Sequence, residues 1–128
     1  MKGQWKNIYS GDLALRSWWV DSVNDCKYVS ILLPEVFGIN NWIRSFSEKL
    51  AQQNVPVLAL PLYGRTAPNL DLEYSEEDLK LGRHHKNLTT LKNIIDDVSA
   101  AINWVKEKYP SKKISIIGFC FGGHAAFI

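Results

Sequence analysis

Two cysteines are too few for a disulfide framework, and they leave a reducing, cytoplasmic setting as the expectation. Together with three scattered histidines they give no zinc-ligand spacing. The acidic residues between 71 and 78 lack the Asp-x-Asp-x-Asp-Gly order of a calcium loop and read as a solvated face. Gly122-Gly123 lacks the Gly-Lys-Ser/Thr ending of a phosphate loop, so neither a metal nor a cofactor is expected. Charge of one sign is also scarce. Fifteen Lys and Arg against thirteen Asp and Glu leave a formal charge of +2, and the basic residues are dispersed, which argues against a nucleic-acid or anionic-membrane surface. No apolar run approaches the roughly 18 residues of a membrane span. Met1-Lys2-Gly3-Gln4-Trp5-Lys6 lacks the apolar core of a secretory leader. Repeats, low-complexity tracts and Pro/Gly/Ser linkers are missing, and 128 residues make one domain at most.

What is present is an ordinary globular balance of 46% hydrophobic and 22% charged residues, arranged in alternating patterns. Residues 5–9 and 13–20, around Ser10-Gly11-Asp12, read as two antiparallel strands at a sheet margin, because side chains alternate with a period of two. Trp18 and Trp19 are expected to pack. Residues 28–33 form a near-continuous apolar run, the pattern of a strand covered on both faces. Asn40 or Asn41 can cap a helix carrying Trp42, Ile43, Phe46 and Leu50 at helical spacing, with Asn54 as its stop. Residues 55–60 are the next strand, with Pro56 at its beginning.

Residues 61–86 are polar and irregular, with a short acidic helix expected near 75–81, and long connections of this kind usually carry function. His84 and His85 read as solvated. A long helix opening at Asn87 or Thr89 is predicted to bury the stripe Leu88, Leu91, Ile95, Val98, Ile102 and Val105. Lys106 and Lys108 suit its C-terminal dipole, and Tyr109-Pro110 ends it. Residues 113–117 are a last strand. Apolar strands alternating with amphipathic helices predict an α/β fold: three layers, α/β/α, around a mostly parallel sheet with antiparallel strands at its N-terminal margin.

That last strand runs into Gly118-Phe119-Cys120-Phe121-Gly122-Gly123, followed by residues able to start a helix. A strand, a glycine-flanked Cys and a helix start describe a nucleophile elbow with sulfur in place of the usual hydroxyl. Gly118 and Gly122 have no Cβ to clash as strand and helix close around the turn. A helix N-terminus pointing at the sulfur favours thiolate over thiol. The same hexapeptide also fits a small apolar Cys packed between strand and helix. In parallel sheets ligands bind beyond the carboxyl ends of the strands, and Glu35, Tyr63 and Cys120 each lie just past a strand end. Cys26, at the opposite end of its strand, falls on the order of 20 Å from Cys120, beyond disulfide reach.

Pro34-Glu35-Val36-Phe37-Gly38-Ile39-Asn40, Pro61-Leu62-Tyr63-Gly64-Arg65 and the Gly118–Gly123 hexapeptide, in this order and spacing, resemble the dienelactone hydrolase family of the α/β-hydrolase fold. The resemblance runs from about Lys27 onward. It implies that Cys120 attacks the carbonyl carbon of a small-molecule lactone or ester and that Glu35 helps convert the thiol to thiolate. It further implies that the backbone N–H groups of Val36 and Phe121 hold the oxyanion. Arg83 aligns with a family arginine that binds the substrate carboxylate, and Tyr63 is the second candidate for substrate binding.

The family pattern also has an Asp and then a His after the nucleophile, and neither matching position is found in this sequence. His124 follows the Cys by about one helical turn, on a helix leading away. The expectation is therefore the N-terminal half of one α/β-hydrolase domain over residues 1–128, ending in the helix after the elbow and with little turnover by itself. Half a sheet would leave residues 113–117 as an open apolar edge that invites self-association or a second chain. Two other readings fit the elbow alone: a glutamine-amidotransferase-like Cys enzyme, and a non-catalytic binding or structural remnant.

Overall fold

The computed structural model describes residues 2–22, 24–34, 37–63, 66, 71–72 and 75–118. Strands β1 (Gln4–Ser10) and β2 (Leu13–Val20) form a hairpin closed at Gly11, whose φ of 61° is the left-handed conformation that glycine adopts without strain. They are followed by β3 (Tyr28–Leu33), α1 (Asn41–Gln52), β4 (Val57–Ala59), α2 (Glu76–Asn87), α3 (Leu91–Lys108) and β5 (Lys113–Gly118). The sheet order is β1-β2-β4-β3-β5. β2 pairs antiparallel with β1 and β4, whereas β3 pairs parallel with both β4 and β5. Among the described residues β5 is an edge strand, as expected, and Ile116 on it is exposed.

Side-chain alternation along the strands divides the core into two layers. Val29, Ile31 and Leu33 point with Leu15, Trp19 and Leu58 toward α3. Leu32, Val57 and Ala59 point toward α1, where Ile39 and Ile43 meet Trp5, Trp18, Phe46 and Leu50. This is the predicted three-layer arrangement with a helix on each face. Asn40 caps α1 by accepting from the Ile43 N–H, and Asn54 takes a φ of 63° just past its end.

The helix faces differ from the predicted ones. On α1 the fully buried positions are Ile43, Ser47 and Ala51, while Trp42 is exposed and stacks on Phe46 at 5.3 Å. On α3 the buried face is Ile94, Asp97, Ala101 and Val105, with Leu91 and Ile95 exposed; Leu88, predicted to begin that stripe, is instead the exposed C-cap residue of α2, and Thr90 caps α3. Of the predicted stripe Val105 is buried and Val98 and Ile102 are partly buried against the core, so the most buried line lies about one residue around the helix from it. The reason is backbone approach: Ala101, fully buried, lets the helix lie close to the sheet, and larger residues flank that line. Trp104 set edge-on to Trp19 at 5.1 Å and the Tyr109 hydroxyl donating to Asp21 fix the rotation. Helix α2 is longer than predicted. Ser75 caps it, Glu76, Glu77 and Asp78 favour its first turn, and it continues through His84 and His85, which had read as part of a loop.

Candidate functional site

The parallel core of the sheet sets the site. Leu33 lies opposite Gly118, and Leu32 lies opposite Ala59, so β3, β4 and β5 end on one edge of the sheet. Leu33 and Gly118, each two positions before Glu35 and Cys120 in the sequence, thus lie side by side at that edge. Glu35, Val36, Cys120 and Phe121 themselves lie outside the described residues, as does His124. Lower in the same strand pair, the hydroxyls of Ser30 and Ser115 share a 2.6 Å hydrogen bond that ties β3 to β5.

The loop between β3 and α1 is held from several directions. Gly38 has a φ of 78° and forms an isolated antiparallel bridge with Asp71. The Leu72 N–H donates to the Phe37 carbonyl at 3.0 Å. Asn40, besides capping α1, donates from Nδ2 to the Leu72 carbonyl at 3.1 Å. Arg44 Nη1 donates to the Ile39 carbonyl at 2.8 Å and pairs with the Asp71 carboxylate at 2.9 Å. The long connection after β4 is therefore fastened to the loop after β3. In the sequence Asn40 stands as a candidate cap and as the last residue of the 34–40 block, with no partner implied for its amide N–H₂. The available signal was its amide: a cap uses only the oxygen, which leaves an N–H₂ to be satisfied in a buried place.

Tyr63, past the end of β4, is buried, and burial pushes its phenol above its ordinary value. Its ring lies 6.5 Å from that of His85. His85 is half-buried and its Nδ1 hydrogen-bonds the Thr66 hydroxyl at 2.9 Å, so α2 meets the connection that follows β4 through His85. Burial, with His84 beside it, holds the His85 imidazole below its ordinary value. His85 is thus not simply solvated, whereas His84 is exposed. Arg83 projects from an exposed flank of α2, away from the Gly82–His85 face. Cys26 is a buried free thiol raised by that burial, close to the Lys112–Asp25 ion pair of 3.2 Å. Among the described residues no group of three or more His, Cys, Asp or Glu is placed to hold a metal. No helix there is long and apolar enough to cross a membrane. An open groove of about 720 Å³ between β1 and α3, lined by Asn7, Tyr9, Asp96, Ser99, Asn103 and Glu107, contains none of the predicted site residues.

A parallel sheet ending on one edge, with antiparallel strands at its margin and helices on both faces, defines a partial α/β-hydrolase fold. Solved structures agree. A protein titled "Putative Dienelactone Hydrolase" from Klebsiella pneumoniae superposes with a TM-score of 0.78 at 21% identity, over 94% of this chain and 50% of its own. An alpha-beta serine hydrolase homologue from Coxiella burnetii gives 0.66 at 15% identity, over 98% and 56%. The model of the dienelactone hydrolase family matches residues 18–128, and the chain belongs to that family. A Synechocystis protein named "Putative carboxymethylenebutenolidase" is 31% identical over 102 residues, 78% of this chain and 42% of its own length. The chain spans about half the length of the relatives it matches.

Proposed function

We propose that the protein is a cysteine-dependent hydrolase of a small-molecule lactone or carboxylic ester, with Cys120 as nucleophile. Family membership and the pairing of Leu33 with Gly118 support this reading, and the pairing carries it. The paired residues Leu33 and Gly118 each stand two positions before one of the two proposed groups, the Glu35 carboxylate and the Cys120 thiol. Glu35 accepts the thiol proton, and the thiolate forms a C–S bond to the carbonyl carbon. The oxygen becomes an oxyanion held by the N–H groups of Val36 and Phe121, each contributing about 3 kcal/mol to the lowering of the barrier. Collapse breaks the C–O bond, and the departing alkoxide takes the proton held by Glu35 and becomes the alcohol, which in a lactone stays tethered to the acyl group. Water then cleaves the thioester, adding OH to the acyl carbon and returning a proton to sulfur. Arg83 and Tyr63 are the proposed substrate-side residues.

Residues 1–128 are read as the N-terminal half of one such domain, its β5 edge covered by a further strand or by self-association. Gel filtration of the 128-residue chain tests that last point: a stable monomer with a cooperative melt argues against it. For the reaction, steady-state rates on p-nitrophenyl acetate or a dienelactone are decisive. In the full gene product Cys120→Ala is expected to abolish turnover and Glu35→Gln to lower it sharply. An unchanged rate for Cys120→Ala refutes the assignment. Alkylation of Cys120 against pH distinguishes an activated thiol, titrating well below about 8.5, from one that is merely packed.

A further inference from the structure

An N-cap requires only an acceptor, and Asp, Ser or Thr supplies one as well as Asn does. Asn40 uses its acceptor in that way, with Oδ1 taking the Ile43 N–H at 3.1 Å. The other half of its amide is committed elsewhere, Nδ2 donating at 3.1 Å to the Leu72 carbonyl, and the residue is 4% exposed. Asp has no donor for the second bond, and Ser or Thr would have to serve both partners from a single oxygen, whereas the amide presents a separate acceptor and donor. Next to it Arg44 spans the same two segments, from the Ile39 carbonyl to the Asp71 carboxylate. The backbone bond from Leu72 to Phe37 and the Gly38–Asp71 bridge complete the attachment.

The geometry points to Asn40 and Arg44 as positioning residues for the reaction: they fasten the Asp71–Leu72 stretch to the loop at residues 37–40 and so fix the backbone that immediately follows Val36. The inference rests on the reading of Val36 as an oxyanion donor. A backbone N–H stabilises developing charge only if it is held in place before the charge appears. A main-chain donor on a loop is held no better than the loop itself, and this loop contains Gly38, whose torsions are the least restricted in the chain segment. Bonds from outside the loop therefore do the holding. Misplacement of a reacting group by about 1 Å can cost about a hundredfold in rate.

Asn40→Asp in the full gene product separates the two uses of the side chain. It keeps the cap acceptor and the volume, and it sets an oxygen against the Leu72 carbonyl where an N–H₂ had been. The expected result is a fall in kcat of about tenfold or more on p-nitrophenyl acetate, with KM within about twofold. The pH profile of Cys120 alkylation should not move, because the thiolate is not touched. Arg44→Gln leaves the cap intact and should give a smaller loss of the same kind, so the test survives if Asn40→Asp folds poorly. Full kcat in both variants, with wild-type turnover abolished by Cys120→Ala, overturns the positioning role and leaves the proposed function standing. Wild-type turnover that is absent or independent of Cys120 removes the proposed function, and this inference with it. A shifted alkylation profile also overturns it, since the effect would then run through the nucleophile.

Discussion

Ser30 and Ser115 join the two strands that lead to Glu35 and Cys120, and the cost of removing their hydrogen bond should depend on which partner is taken away. Ser30 is 2% exposed, whereas Ser115 is only partly buried, and the two hydroxyls are 2.6 Å apart. Ser30→Ala leaves the Ser115 hydroxyl where water can reach it, so the loss is that of one net hydrogen bond, about 0.5–1.5 kcal/mol. Ser115→Ala strands the Ser30 hydroxyl in the sheet without water, and an unsatisfied buried polar group costs about 1–3 kcal/mol. The double alanine variant removes both polar groups and should lie near wild type, since deleting a matched pair is close to neutral. The coupling is then negative: the double variant is more stable than the sum of the two losses implies. Urea unfolding of the full gene product measures all four corners, and equal m-values confirm that the denatured states are alike. Simple additivity, or a Ser30→Ala loss at least as large as that of Ser115→Ala, refutes the reasoning.

Leu58, fully buried in β4 at the centre of the sheet, is expected to lose about 3 kcal/mol on truncation to Ala, read as a shift of the urea midpoint. Stability should also fall at both ends of the pH range. Because the fold holds His85 below its ordinary 6.5, the unfolded chain protonates there first, and stability present above that pH is lost as the pH falls below it. His85→Asn should flatten that acid slope in thermal melts across pH 5–7, and an unchanged slope removes His85 as its source. Tyr63 and Tyr109 are raised above 10.0, chiefly by burial, so the folded chain keeps their protons longer and stability falls as the pH rises past that value. Tyr109→Phe should weaken the alkaline loss, as followed by denaturant midpoints between pH 8 and 11.

The strands were legible because their signal is local. An apolar run such as residues 28–33 has few conformations that bury both faces, and period-two alternation in residues 13–20 assigns a margin strand directly. The rotation of α3 was not legible. Its sequence holds large apolar residues on more than one flank, and periodicity weighs each by its hydrophobicity. The sheet selects instead by distance. Ala101 contributes little to an apolar count, yet it is fully buried in the core while Leu91 and Ile95 stay outside. Likewise Trp42 begins the apolar pattern of α1 but is exposed, with its ring stacked on Phe46.

The candidate site shows the same division between what is written along the chain and what is written across it. Glycines about a Cys, and the glutamate two residues past a strand, are linear patterns and could be read as such. That β3 and β5 are neighbours follows from no single segment; it depends on β4 taking the other side of β3, which leaves β5 as the second parallel partner. The fastening of residues 71–72 to residues 37–40 is less legible still, because neither segment has a period and the link uses side chains that already have local explanations. Asn40 looks complete as a cap, and Arg44 looks like an ordinary solvated position on a helix. Each becomes informative only when its remaining donors are counted against the acceptors opposite. Buried amides and guanidinium groups with more donors than their local role consumes are therefore the places where a sequence can announce a long-range contact without naming the partner.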